Sequence, residues 1–361
     1  MSERAMQTYI EYQECRYHLL WLRDNCPCSA CRHPSGQRLH ETWLLDPNPV
    51  PKQVTETADG LRIEWVGEEE HISEFSQAFL AQHRYDGEPR EQAPAHIWGA
   101  ELKDKLPTFD YARVQQDDAY RGQWLQAVVD YGVARLFNVP TVPRTILKVV
   151  EQFGFVRNTN YGDLFEVISE EKPVNLAYTP IPLSLHTDNP YRNPVPTLQL
   201  LHCLVKADIG GVTALTDGFK AAQLLRERDP QAFELLSKQA VTFRFASEDA
   251  HLTHCGPMIQ LDCHGEIEAV RINNRSLAPL KLPFEIMDAY YGAYQALMAI
   301  VQGDDCKVTL TLEQGELIIF DNQRVMHGRE VQAIGPRHLQ GCYADRDGLR
   351  STAYILGQGK A

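Results

Sequence analysis

Along the first hundred residues the apolar positions come in short runs, WLLD at 43–46 and LRIEWV at 61–66, set apart by the turn-forming clusters DPNPVP and ADG. Runs of that length between Pro, Gly and Asp clusters predict a small β-rich unit. The text then turns polar and proline-broken, from DGEPREQAPAHIW to KLPTFDYA, and the elements beyond it lengthen. A division near residue 98 follows, with residues 1–98 as the small unit and 99–361 as a larger one. In the larger part Asp229 followed by Pro230 predicts an N-cap and first-turn proline opening a helix over PQAFELLSKQ, and PFEIMDAYYGAYQALMAIVQG reads as an amphipathic helix stopping at Gly303. KVTLTL, a turn at Glu313 to Gly315, and ELIIF predict an antiparallel pair, and LQGCY a further strand. There is no internal repeat and no alternation of strand and helix, which disfavours a parallel sheet and predicts a mainly β protein with flanking helices.

Composition narrows the class. A chain of 361 residues buries enough core to be stable without disulfides. No apolar run approaches the roughly 20 residues of a membrane span. The opening MSERAMQTYIEYQECRYH lacks the basic-then-apolar pattern of a signal peptide, so a cytoplasmic location is expected. Nine cysteines then read as thiols and metal ligands rather than a disulfide framework. Three of them, Cys26, Cys28 and Cys31, fall within six positions. A formal charge of -13 argues against nucleic acid as a partner and is compatible with a cationic substrate.

The sharpest chemistry lies in LSLHTDNPY and FDNQRVMHGR. His186 and Asp188 are one residue apart, so on a strand both side chains share a face, as two ligands of one ion must. His327, past the strand ELIIF and the turn DNQ, is placed to supply a third ligand. Two imidazoles and one carboxylate on one face of an octahedron leave three positions open, the arrangement of non-haem iron(II) oxygenases, where a 2-oxo acid takes two and dioxygen the third. An isolated HxD also arises by chance, and in a turn such as HTDNP the aspartate caps a backbone amide. Two further residues weigh against chance. Arg337, ten residues past His327, offers a fork for a distant carboxylate, and Thr213, in DIGGVTALTDG, offers a hydroxyl.

These residues resemble the pattern of the taurine-dioxygenase group of Fe(II), 2-oxoglutarate oxygenases. WLRDNCPCSACRHPSGQRL, NLAYTPIPLSLHTDNPY, LQLLHC, GGVTALTDGF and MHGR with RHLQGCYAD resemble, more narrowly, the γ-butyrobetaine hydroxylase and trimethyllysine hydroxylase family, from about Tyr17 onward. The resemblance implies a double-stranded β-helix (jelly-roll) catalytic domain at 99–361, a small N-terminal zinc-binding β domain at 1–98, and a homodimer. It implies structural zinc on Cys26, Cys28, Cys31 and His71, the last from EEEHISEF, with His33 and His40 as rival fourth ligands; three thiolates and an imidazole would close a tetrahedron and serve folding. It implies Fe(II) on His186, Asp188 and His327, and 2-oxoglutarate as co-substrate on Arg337, Asn175, Leu201 and Thr213, with ascorbate left open.

For the substrate it implies an aromatic cage of Tyr161, Phe165, Tyr178 and Tyr343 around a trimethylammonium group, which donates no hydrogen bond and is held by ring faces. Phe165 departs from the family pattern, standing where the animal hydroxylase has tryptophan. Asn273, Asn274 and Arg275, from RINNRS, are candidates for the substrate's anionic end. The implied reaction is hydroxylation of a small trimethylammonium acid by dioxygen, γ-butyrobetaine to carnitine. The alternatives are trimethyllysine, a trimethylammonium phosphonate suited to Arg275, and a non-catalytic betaine-binding β protein, against which the intact triad and Arg337 speak.

Overall fold

The computed structural model describes residues 8–67, 71–87, 96–168 and 182–357. The chain forms two compact units, Met1–Ala93 and Pro94–Ala361. Among the described residues no helix is long and apolar enough to cross a membrane.

In the first unit a short hairpin of β1 (Tyr9–Tyr12) and β2 (Cys15–His18) leads into α1 (Leu19–Asp24). A three-stranded antiparallel sheet follows, β3 (Pro51–Thr57), β4 (Gly60–Trp65) and β5 (Ile72–Ser76), then α2 (Gln77–Gln82), whose N-cap Ser76 accepts from the Phe79 amide. Alternation in the central strand sends Leu61, Ile63 and Trp65 inward, where they meet Tyr12, Tyr17, Leu22, Phe75 and Leu80. The segment WLLD, expected as a strand, holds instead a single 3-10 turn over Thr42–Leu44, with Trp43 and Leu44 exposed. Its apolar residues form a run without the alternation that would bury one face.

The second unit opens with β6 (Thr108–Asp110), α3 (Tyr111–Gln116), α4 (Asp118–Tyr131), β7 (Val133–Phe137), α5 (Thr145–Val150) and β8 (Phe165–Val167). Next come β9 (Leu183–His186), β10 (Leu198–Val205), β11 (Thr213–Asp217), α6 (Gly218–Arg228) and α7 (Pro230–Lys238). Two hairpins follow, β12 (Val241–Ala246) with β13 (His251–Gly256) and β14 (Ile259–Leu261) with β15 (Ile267–Val270), then α8 (Met287–Gln302). The chain closes with β16 (Lys307–Leu310), β17 (Leu317–Asp321), β18 (Val325–Arg329), β19 (His338–Ala344) and α9 (Arg346–Gly357).

Ten of these strands build a double-stranded β-helix. One sheet has the order β6-β7-β17-β10-β19-β8 and the other β16-β11-β18-β9. All pairs are antiparallel except β6 with β7. Between the sheets lie Leu201 and Cys203 of β10, Ile318 and Phe320 of β17, Leu215 of β11 and Val325 of β18. The outer face of the larger sheet, through Leu198, Leu200, Leu317 and Ile319, packs with Trp124, Leu125 and Val128 of α4 and Leu349 of α9. The smaller sheet turns Ala214 and Met326 to Phe233 and Leu236 of α7 and Tyr290 and Leu297 of α8. Burial on both faces explains why β17 reads as an apolar run, LIIF, and why β10 buries even its Gln199 and His202.

The two helices expected around Asp229 and Gly303 are present, Asp229 capping α7 through the Ala232 amide and α8 ending at Gln302. The expected hairpin of KVTLTL and ELIIF is corrected. β16 pairs with β11 and β17 with β10 and β7, so the turn at Glu313 to Gly315, with Gly315 at φ 82°, carries the chain from one sheet to the other. A jelly roll buries both strands more completely in separate sheets than a free hairpin could.

Candidate active site

β9 ends on His186, and register places His327 of β18 directly opposite it. The imidazole centroids are 4.4 Å apart. Asp188 lies just past the strand end, with Oδ1 3.3 Å from His186 Nε2 and Oδ2 3.8 Å from His327 Nε2. His186 Nδ1 sits 2.8 Å from the Ser184 carbonyl oxygen, which calls for N–H at Nδ1 and a lone pair at Nε2. Cis ligands on an octahedral ion with bonds of about 2.1 Å stand about 3 Å apart, which the His186–Asp188 separation approaches and the His327–Asp188 separation exceeds.

Burial, then the neighbouring His186, pushes His327 down to about 3 against the pull of Asp188, so its imidazole is neutral, as a metal ligand must be. Burial acts to raise Asp188, but the contact with His186, the closeness of His327 and the Tyr343 hydroxyl overcome it and hold the carboxyl well below the usual range. The donor set is two imidazole nitrogens and one carboxylate, and it fits iron(II).

Asn322, in the turn between β17 and β18, fixes Asp188 from behind. The Asp188 amide donates to Asn322 Oδ1 at 2.7 Å, and Asn322 Nδ2 donates to the carbonyls of Asp188 at 3.0 Å and Pro196 at 2.9 Å. The turn that leads into the strand carrying His327 therefore also grips the segment that carries Asp188. Nothing in the spacing of the sequence marks Asn322.

Thr213 begins β11 and Arg337 directly precedes β19; together with Gly211, Leu312 and Leu339 they line one small cavity. Arg329, two residues past His327 and paired across the sheet with Thr213, is buried as well. Burial and then the charge of Arg337 lower its basicity to about 10, which sets two guanidinium groups near each other. Leu201 is buried on the inward face of β10. Asn175 lies outside the described residues, as does Tyr178.

Of the aromatic set, the Phe165 and Tyr343 rings meet at 5.1 Å, and the Tyr343 hydroxyl donates to Asp188 Oδ2 at 2.8 Å. Burial, then the Asp188 charge, raises the Tyr343 phenol far above its ordinary value, so it remains a donor. The Tyr161 oxygen is 3.1 Å from that of Tyr191, which donates to Asn189 Oδ1 at 2.8 Å. Phe245 of β12 stacks on Tyr191 at 5.2 Å and stands edge-on to Tyr161 at 5.9 Å. Tyr191 and Phe245 are aromatic neighbours the sequence reading missed. Tyr191 stands three residues past Asp188 in HTDNPY, a signal that could have found it, whereas Phe245 arrives from a distant hairpin.

The anion-end candidates divide. Asn273 is buried and pins its loop to the ligand segment, donating to the Thr187 carbonyl at 3.1 Å and accepting from the Arg275 amide at 3.2 Å. Asn274 is exposed. Arg275 is exposed like Asn274; burial of part of its side chain lowers its basicity, with Asp188 acting in the opposite direction. Buried atoms without a hydrogen-bond partner in this region include His327 Nδ1, Asn189 Nδ2 and Gln199 Oε1.

In the first unit Cys26, Cys28, Cys31 and His71 bring their ligand atoms within 4.8 Å of one another. Cys31 Sγ and His71 Nε2 are 3.7 Å apart, close to the roughly 3.6 Å between a sulfur and a nitrogen on a tetrahedral zinc with bonds of about 2.3 and about 2.0 Å. Burial, then the neighbouring Cys26, pushes the Cys31 thiol up to about 12. Three thiolates this close need a cation among them, and the set fits zinc. The rivals are engaged elsewhere, His33 with Ser35 and His40 with Asp24.

A family model described as taurine catabolism dioxygenase TauD, TfdA family matches residues 88–343. A second, described as gamma-butyrobetaine hydroxylase-like, N-terminal, matches residues 5–80. The gamma-butyrobetaine dioxygenase of Pseudomonas sp. (strain AK-1) is 36% identical over 360 residues, 97% of this chain and 92% of that one. The human gamma-butyrobetaine dioxygenase is 32% identical, covering 97% of this chain and 93% of its own. The mitochondrial trimethyllysine dioxygenase of Gallus gallus is 29% identical, covering 95% and 84%.

Proposed function

We propose, for a chain that belongs to the TauD, TfdA family of iron- and 2-oxoglutarate-dependent dioxygenases, that it hydroxylates γ-butyrobetaine to carnitine. The observation that carries this reading is the His186, Asp188 and His327 triad with an aromatic wall tied directly to it through Tyr343. The wide similarity to gamma-butyrobetaine dioxygenases supports the same choice.

In this reading His186, Asp188 and His327 hold the iron. When bound, iron(II) lets dioxygen oxidise 2-oxoglutarate to succinate and carbon dioxide and hydroxylate a substrate C–H bond. The protein's own work is placement. Arg337 pairs with the far carboxylate of the oxo acid, Thr213 adds its hydroxyl, and Leu201 and Asn175 complete that side. Tyr161, Phe165 and Tyr343 turn ring faces to the trimethylammonium group, and the same role is assigned to Tyr178 on the resemblance alone. Asn274 and Arg275 stand at the substrate's anionic end, with Asn273 as the residue that holds their loop. Burial of the triad keeps bulk water from the reacting carbon. Residues 1–98 serve as the zinc-binding domain and 99–361 as the catalytic domain, and the chain works as a cytoplasmic homodimer.

A second reading follows from Arg275, the one cation among the candidates for the substrate's anionic end. A phosphonate, with more charge and three oxygens, gains more from a guanidinium than a carboxylate does. The test is succinate formation in parallel with γ-butyrobetaine, trimethyllysine and trimethylammonium-ethylphosphonate. Turnover highest with γ-butyrobetaine is the expected result, and turnover of the phosphonate alone would overturn the carnitine reading.

A further inference from the structure

Tyr343 sits on β19 beside the central strand β10, 5% exposed, with its ring against Phe165. Its hydroxyl reaches the one side chain of the triad that has a choice of binding mode. A carboxylate ligates through one oxygen or through both. Bound through both, Asp188 would fill a fourth position and leave two open, fewer than an oxo acid and dioxygen together need. The backbone of Asp188 is already fixed by Asn322 on its amide and its carbonyl. What remains free is the rotation of the carboxylate, and the Tyr343 hydroxyl takes Oδ2 while Oδ1 stays 3.3 Å from His186 Nε2.

We propose that Tyr343 is a positioning residue for the metal, holding Asp188 to one-oxygen ligation through Oδ1, and that by its ring it makes the substrate pocket and the metal site share one side chain. This rests on the proposed function for the pocket, and on the triad alone for the metal. A hydrogen bond between a phenol and a carboxylate is charge-assisted and directional, and the ring cannot swing away while it is packed between Phe165 and the sheet. Tyr161 supplies the contrast. It belongs to the same aromatic set, but its hydroxyl meets Tyr191 and leads on to Asn189, with no bond to a triad side chain.

The experiment compares Tyr343→Phe with Tyr161→Phe in the full chain, each keeping its ring and losing one hydroxyl. Manganese(II) affinity is read by electron paramagnetic resonance, and the ratio of hydroxylated product to succinate is read in the iron-loaded enzyme. Tyr343→Phe should weaken manganese binding about tenfold, as expected for loss of a group that orients a ligand, while Tyr161→Phe stays within roughly twofold of the wild type. Tyr343→Phe should also form succinate in excess of product. Wild-type manganese affinity in a folded Tyr343→Phe protein, judged by an unchanged melting temperature, would overturn the proposal, as would equal weakening in both variants. If the wild type makes no product from γ-butyrobetaine, the substrate reading fails, and the manganese comparison still decides the role of Tyr343.

Discussion

Gly341 has no side chain where Phe165 needs the room. A Cβ there would stand 2.3 Å from Phe165 Cε2 and Cζ and 3.1 Å from Leu201 Cδ2, so Gly341→Ala must push the Phe165 ring away from Tyr343. If Phe165 is one face of the trimethylammonium pocket, KM for the quaternary amine should rise by an amount worth about 0.5–2 kcal/mol while KM for 2-oxoglutarate stays put. Unchanged kinetics for the amine would remove Phe165 from the pocket. At this scale the sequence was legible where residues stand at a spacing chemistry demands. HxD with the later histidine is such a pattern, and the structure brings the three together. Asn322 and Phe245 were not legible, because one amide and one ring carry no spacing and gain meaning only from the chain that folds against them.

Strands announce themselves by alternation and their partners do not, which is why KVTLTL and ELIIF read as a hairpin and stand in different sheets. The link between β17 and β18 is where element geometry meets the site. Asn322→Ala would leave the buried Asp188 amide and carbonyl without their partner, at a cost of about 1–3 kcal/mol. The expected result is a lower urea midpoint together with weakened iron binding, and a loss of stability with iron affinity unchanged would show that the clamp serves the fold alone. β10 carries a second element-level consequence. His202 is fully buried there, and burial pushes its imidazole down to about 4 from 6.5. The unfolded chain then binds the proton first, so stability is complete above pH about 6.5 and falls by about 1.4 kcal/mol per unit as pH drops toward 4. His202→Gln should lose about 2 kcal/mol less than the wild type between pH 7 and pH 5 in urea titrations; parallel curves would contradict this.

At the scale of the whole molecule two metal sites divide the labour, a closed one in the first unit and an open one in the second. The closed cluster has three sulfurs and an imidazole and no position for a substrate, so its metal belongs to folding. Cys28→Ser should therefore release about one equivalent of zinc and lower the melting temperature of the first unit, read by elemental analysis and calorimetry. A wild-type protein purified without zinc would contradict this. The architecture was legible as a β core with outer helices, but only the resemblance named the jelly roll, because the order of ten strands in two sheets depends on pairings between residues far apart in the chain. The central claim is that one molecule of dioxygen is divided between 2-oxoglutarate and γ-butyrobetaine over the triad. The direct test is turnover under ¹⁸O₂ with mass analysis of both products: one labelled oxygen in succinate and one in carnitine is the predicted result, and carnitine that is absent, or present without label while succinate is labelled, would contradict it.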